Sequence, residues 1–278
     1  MQRILTEART AAYAAHLRRE ERSESTVAKY LRAVRALAAF AEGRPMTKEL
    51  VAAHKARLVE AGRGASTVNG AVAAINGLLS FLGWEDCRVK AVRVQRSAFC
   101  SARRELSREE YRRLLDAARG RERLQLAMQT LCASGIRVSE LRHFTVEAVR
   151  RGEVTIRCKG KTRTVLLPGR LRERLLAYAR RQGIAAGVVF RTRGGKPLDR
   201  SYIWAQMKAL CGLACVCRDK VFPHNLRRLF ARSFYRVEKD LARLADVLGH
   251  SRLETTRIYI MTTGAEHRRQ LERLHLLL

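Results

Sequence analysis

The strongest constraint on this chain is an interruption. Residues 88–104, RVKAVRVQRSAFCSARR, lose helical periodicity while staying basic, and helical patterns lie on both sides. A segment of that kind reads as an extended linker, so the chain is expected to fold as two units, 1–87 and 105–278. Its 278 residues are enough to give each unit a core of its own.

The first unit reads as four helices: TEARTAAYAAHLRREE, STVAKYLRAVRALAAFAEG, TKELVAAHKARLVEAG and a fourth starting near Ser66 or Thr67. In the second, Val27, Tyr30, Leu31, Val34, Leu37 and Ala38 fall on one stripe at helical spacing, with Ser25 as N-cap and Gly43 as stop. Thr47 caps the third and Gly62 closes it. The fourth carries Val68, Val72, Ile75, Leu78, Leu79 and Leu82 on its apolar face. Lys and Arg stand mostly opposite these stripes, which suits a solvated face and a DNA-tracking face equally.

The second unit opens cleanly. Ser107 with Glu110 three residues on makes a capping box, and Leu106 is placed to staple onto the helix that follows. ERLQLAMQTLCASG gives another helix, ending at Gly135. GEVTIRC and TRTVLLP, separated by the turn KGK, read as a β-hairpin. Helices return around GRLRERLLAYARR, around SYIWAQMKALCG, and from His224 to the C-terminus. The expected class is mainly α with one small β-hairpin, in two domains.

Charge narrows the partner. Lys and Arg total 56 against 26 Asp and Glu, a formal charge of +30. Self-repulsion of that size is relieved by a polyanion, and nucleic acid is the natural candidate. The basic residues are spread along the chain, not gathered beside an apolar segment, which weakens a membrane-surface reading. No apolar run reaches the length of a membrane span, and the N-terminus lacks a signal-peptide pattern. The cysteines number 7 and follow no secretory framework, so a reduced, cytoplasmic protein is expected. Cys211, Cys215 and Cys217, with His224 nearby, lack the spacing of a zinc knuckle or ribbon, so no metal site is expected there.

The residues suited to chemistry lie between Ala133 and Ile260. In ASGIRVSEL, Arg137 follows a helix-ending glycine and Glu140 stands three residues later, placed to orient the guanidinium. CKGKTR puts Lys159 and Lys161 at the hairpin turn. PHNLRR puts His224 and Arg227 one helical turn apart on one face, after Pro223. LGHSRLETTRIY brings His250 after a glycine, and Tyr259 follows. Each is weak alone, because an exposed ion pair, a core histidine or a buried tyrosine explains it as well. Their order within one domain is what carries the reading.

With these motifs in view, the segment from Ala133 to Tyr259 resembles the catalytic domain of the tyrosine recombinases, the family of phage and transposon integrases and Xer chromosome-dimer resolvases. ASGIRVSEL, PHNLRR and LGHSRLETTRIY carry the resemblance, and STVAKYLRAVRALAAFA resembles the family's core-binding domain. The likeness implies a helical core-binding domain at 1–87, a basic linker at 88–104 and a mixed α/β catalytic domain at 105–278. It also implies a catalytic set of Arg137, Lys159, His224, Arg227, His250 and Tyr259, with Glu140 in support. Two departures stand out. Arg228 replaces the second histidine of the family's HxLRH, and the lysine turn is short, so that Lys161 competes with Lys159 for the role of acid.

The implied activity is cutting and rejoining of double-stranded DNA at specific sites through a tyrosyl intermediate, with no cofactor, metal or ATP. The acidic residues offer no cluster suited to two metal ions. Implied partners are recombination-site DNA and three further copies of the chain, assembled through the terminal helix GAEHRRQLERLHLLL, whose leucines equally suit the domain's own core. A bacterial, nucleoid-associated setting in integration, excision or resolution is expected. Two other functions fit the same features: a topoisomerase IB-like enzyme relaxing supercoils as a single protomer, and an inactive DNA-binding regulator.

Overall fold

The computed structural model describes residues 3–94, 105–158, 161–261 and 264–274. The chain divides into two compact units, Met1–Arg96 and Ser97–Leu278.

The first unit is a four-helix assembly of α1 (Glu7–Arg19), α2 (Glu24–Ala41), α3 (Lys48–Glu60) and α4 (Ala65–Phe81). Its core is the stripe expected from periodicity. Val27, Val34 and Leu37 of α2 and Val68, Val72, Ile75, Leu78 and Leu79 of α4 are buried, while Tyr30, Leu31 and Leu82 are half-buried. Thr47 caps α3, its hydroxyl accepting the Leu50 N–H at 3.2 Å. Two caps differ from expectation. α2 is preceded by Ser23 instead of Ser25, and α4 by Gly64 instead of Ser66 or Thr67. At α2 Ser23 makes no side-chain cap; its hydroxyl is hydrogen-bonded with those of Ser25 and Thr26 in the first turn. The segment after α4 is docked as far as Val92. Asn76 exchanges two hydrogen bonds with the backbone of Val89 (2.9 and 3.2 Å), and Asn69 does the same with Val92 (3.0 and 2.7 Å). Val89 is buried. The rest of the basic stretch, 95–104, lies outside the described residues.

The second unit contains α5 (Arg108–Ala117), α6 (Glu122–Ser134), a 3-10 turn (Val138–His143) and α7 (Val146–Arg151). These are followed by the hairpin β1 (Glu153–Cys158) and β2 (Lys161–Leu166), then α8 (Gly169–Arg181), α9 (Arg200–Lys208) and α10 (Pro223–Glu238). α11 (Leu241–Leu248), α12 (Leu253–Ile260) and α13 (Gly264–Glu272) complete it. The capping box at α5 forms in both directions, Glu110 accepting the Ser107 N–H at 2.8 Å and Ser107 accepting the Glu110 N–H at 3.1 Å, and Leu106 is buried in the core. The mainly helical class with one small antiparallel hairpin is the observed one.

α10 is the beam on which this unit is hung. Leu226 and Leu229 face the large core with Leu131, Ile136, Phe144 and Ile156. Ala231, with Phe230 and Phe234 beside it, faces a smaller cluster built with Leu244 and Leu248 of α11 and Tyr259 of α12. Among the described residues, no helix is long and apolar enough to cross a membrane.

Candidate active site

Gly135 ends α6 in the left-handed conformation (φ 63°), where a side chain is strained, and a Cβ there would collide with the Phe230 ring. The chain then turns sharply into the 3-10 segment that presents Arg137. Glu140, buried, accepts from both ends of Arg137: the backbone N–H at 2.7 Å and Nη1 at 3.0 Å. The Arg137 side chain keeps 40% exposure. One carboxylate thus fixes both the backbone and the head of this arginine, as the spacing suggested, on a 3-10 turn.

Pro223 is the first residue of α10, where its missing N–H costs nothing. His224 follows, and Arg227 comes one turn later. Arg227 is sealed in, with 1% exposure. Its Nη1 donates to the Gly135 carbonyl (2.6 Å) and its Nη2 to the Leu248 carbonyl (2.7 Å). Its Nε is buried without a hydrogen-bond partner among the described residues.

α11 stops at Gly249 (φ 67°) and delivers His250 beside Arg227, with Nε2 2.8 Å from Nη2. A guanidinium only donates, so Nε2 accepts and the ring proton sits on Nδ1, which donates to the buried Thr256 hydroxyl at 2.9 Å. Tyr259, on α12, places its hydroxyl 2.9 Å from His224 Nε2. Its ring centroid lies 5.2 Å from that of His224 and 5.1 Å from that of His250. The guanidinium carbons of Arg227 and Arg228 stand 5.9 and 6.0 Å from the same ring.

The electrostatics follow from crowding cations in a half-dry place. Burial pushes His224 down to about 4, helped by Arg227, Arg228 and Arg137. His250 is pushed down to about 4 as well, again by burial first and then by Arg227, Arg137 and Arg163. Burial, followed by Arg137, lowers Arg227 to about 10. At neutral pH both imidazoles are therefore neutral and Arg227 is charged. An anion placed among these groups relieves their mutual repulsion, and fixed donors of this kind need no reorganisation to receive it.

Six of the seven residues singled out from sequence meet here: Arg137, Glu140, His224, Arg227, His250 and Tyr259. Lys159 lies outside the described residues, and Lys161 begins β2. Cys211 is buried, whereas Cys215 and Cys217 are exposed. No group of three or more His, Cys, Asp or Glu is clustered as a metal site among the described residues. Sequence reasoning missed Arg163, Thr256 and the carbonyls of Gly135 and Leu248. Of these only Arg163 left a mark, as an arginine in phase with the buried residues of its strand.

The fold is shared with solved DNA recombinases. XerH bound to its difH substrate superposes with a TM-score of 0.70 at 18% identity, over 96% of this chain and 84% of that one. A lambda integrase tetramer bound to a Holliday junction gives 0.74 at 18% identity, over 93% and 77%. In sequence, the tyrosine recombinase XerD of Halalkalibacterium halodurans is 29% identical over 241 residues, which span 81% of this chain and 80% of that protein. The phage integrase family model matches residues 104–266, and the chain belongs to that family.

Proposed function

We propose that this protein is a tyrosine-type site-specific DNA recombinase that cleaves and rejoins strands through a 3′-phosphotyrosyl bond at Tyr259. The observation that carries the reading is the 2.9 Å hydrogen bond between the Tyr259 hydroxyl and His224 Nε2, next to Arg227. A neutral imidazole accepts the phenol proton as the oxygen attacks phosphorus. Negative charge then grows on the non-bridging oxygens of a five-coordinate phosphorus. Arg137 and Arg227 are the clamp for it, since planar guanidiniums match two oxygens at once. The buried Nε of Arg227 has no hydrogen-bond partner among the described residues, so a phosphate that reached it would satisfy an unmet donor.

Glu140 orients Arg137. His250, accepting from Arg227 and donating to Thr256, orients the second guanidinium; a donor role toward phosphate would require a proton on Nε2, by the other tautomer or by protonation of the ring. Lys159 is the proposed acid for the departing 5′-hydroxyl. The ester conserves the energy of the broken linkage, so religation needs no ATP. The first unit is assigned to core-site DNA binding, with 88–104 as the basic connection. A tetramer on two duplexes, closed through the C-terminal helix, is the assembly that strand exchange asks for.

The test is covalent capture. Duplexes recovered from a random-sequence library by binding to wild-type protein are nicked at successive phosphates and incubated with protein in EDTA. A denaturation-resistant adduct with wild type and none with Tyr259→Phe is expected. No adduct on any bound duplex, or one that requires a divalent ion, sinks the reading. A plasmid with two captured sites separates recombination from relaxation by a lone protomer.

A further inference from the structure

β2 carries an arginine on the face where its neighbours are apolar. In the hairpin register Val154 pairs with Val165 and Ile156 with Arg163. Val154, Ile156 and Val165 are all buried, and residues two apart on a strand share a face. Arg163 therefore projects from the inner side, and its side chain retains 15% exposure. A guanidinium in that position is tolerated only when paired. Here it is paired in both directions. Nη2 donates to Glu140 Oε2 at 2.7 Å, the oxygen that also accepts the Arg137 backbone N–H. Nη1 donates to the Leu248 carbonyl, the acceptor that Arg227 Nη2 also uses. Gly249 keeps that route open: a Cβ there would sit 2.5 Å from Arg163 Nη1 and 2.8 Å from its Cδ.

We infer that Arg163 is a positioning residue that sets the orientation of Arg137 and Arg227 relative to each other, through Glu140 on one side and the Leu248 carbonyl on the other. The inference rests on the reading of those two arginines as the phosphate clamp. A rigid fork is required, because the two acceptors belong to different elements and both must be held at once. Lysine, a point charge, reaches one of them at a time. The same side chain ties the hairpin strand that follows Lys159 to both halves of the clamp.

The charged and titratable groups around His250 define a second readout. They are Arg227 and His224 on α10, Arg137 on the 3-10 turn, Arg163 on β2 and Tyr259 on α12. Loss of one cation allows the imidazole to protonate at higher pH, which opposes its acceptor role toward Arg227.

The experiment uses Arg163→Lys and Arg163→Gln in the full chain, with a captured nicked duplex as probe. Both are expected to bind the duplex as wild type does, while single-turnover adduct formation slows by roughly 10- to 100-fold, the scale of a misplaced reacting group. The acid limb of the rate moves to higher pH in Arg163→Gln and stays in place in Arg163→Lys. If Arg163→Lys reacts at the wild-type rate, with only its melting temperature lowered, the residue is structural and the inference is overturned. Should both variants fail to fold, Gly249→Asn, a residue that tolerates the left-handed backbone, crowds Arg163 without deleting it; slower cleavage with intact binding supports the inference and a wild-type rate overturns it. Absence of any wild-type adduct overturns the parent reading, and this inference with it. A wild-type adduct with an unaffected Arg163→Lys overturns this inference alone.

Discussion

The proposed clamp and the proposed nucleophile are supported on different scales. Arg137, Glu140 and the hairpin stand on the large core of the second unit, where residues of α5 to α9, both strands and one face of α10 are sealed together. Tyr259 belongs to a cluster of four buried residues that includes itself, contributed by α10 and by two helices of 8 residues each. Helices that short have little stability of their own and depend on tertiary contact. Charge stabilisation needs donors that do not reorganise when the transition state forms, and the large core supplies that rigidity. The nucleophile needs something else. In the proposed reaction Tyr259, with 8% exposure, must meet a phosphate that arrives from outside, and a weakly held pair of helices can yield where a core cannot.

The sharpest break in this comparison comes from the two arginines. Arg137→Ala and Arg227→Ala are each expected to slow adduct formation on the order of 100- to 1,000-fold, the effect of losing one donor to a developing oxyanion. They should differ in stability. Arg137→Ala orphans one acceptor, Glu140 Oε1, in a carboxylate that keeps Arg163 and the residue-137 N–H on its other oxygen, so it should cost less. Arg227→Ala leaves the Gly135 carbonyl and the His250 ring without their donor, at about 1–3 kcal/mol for each orphaned group, whereas the Leu248 carbonyl keeps Arg163. Urea melts set beside single-turnover rates will separate the two, and equal stability would mean that Arg227 is not a brace between the two regions.

Acidification tests the same boundary. His224 and His250 have folded values near 4, below the ordinary 6.5, so the unfolded chain binds more protons across that window. Stability should thus be full above about pH 6.5 and decline as pH falls toward 4. The second-order rate constant for cleavage, which reports the free enzyme, should stay level over most of that range because the base form of His224 persists. Melting temperatures and rates measured between pH 7 and pH 5 check both. A rate that drops by half near pH 6.5 would mean an exposed, ordinary histidine.

The smallest expected effect is dynamic. Backbone amides of α11 and α12 should exchange with solvent at least ~10-fold faster than those of α6, reflecting local opening of the small cluster. Hydrogen exchange followed by mass spectrometry reads this directly, and uniform protection across α6, α11 and α12 would remove the asymmetry.

Much of this molecule was legible before any coordinate. Stripes such as Val27, Val34 and Leu37 mark a buried helix face because 3.6 residues complete a turn. The Ser107–Glu110 box announces a helix start through donors that only a local side chain can satisfy. Gly135 was legible as a stop, since it takes a conformation that other residues resist. The pairing of Arg137 with Glu140 is likewise a matter of three residues along one turn. Local chemistry of this kind is written in local sequence.

Other features are not local, and there the sequence is silent. Nothing in TRTVLLP says that Arg163 will reach a carboxylate 23 positions away and a carbonyl 85 positions away. Nothing near His224 says that its partner is a phenol 35 residues downstream, or that burial will hold its ring neutral. Nor could spacing place Ser23 ahead of Ser25 as the residue before α2, because no side-chain cap marks that start. Sequence by itself determined the elements, most of their ends and the residue types able to handle a phosphodiester. Tertiary packing decided which nitrogen faces which oxygen, because hydrogen bonds between distant segments exist only after the apolar faces have met.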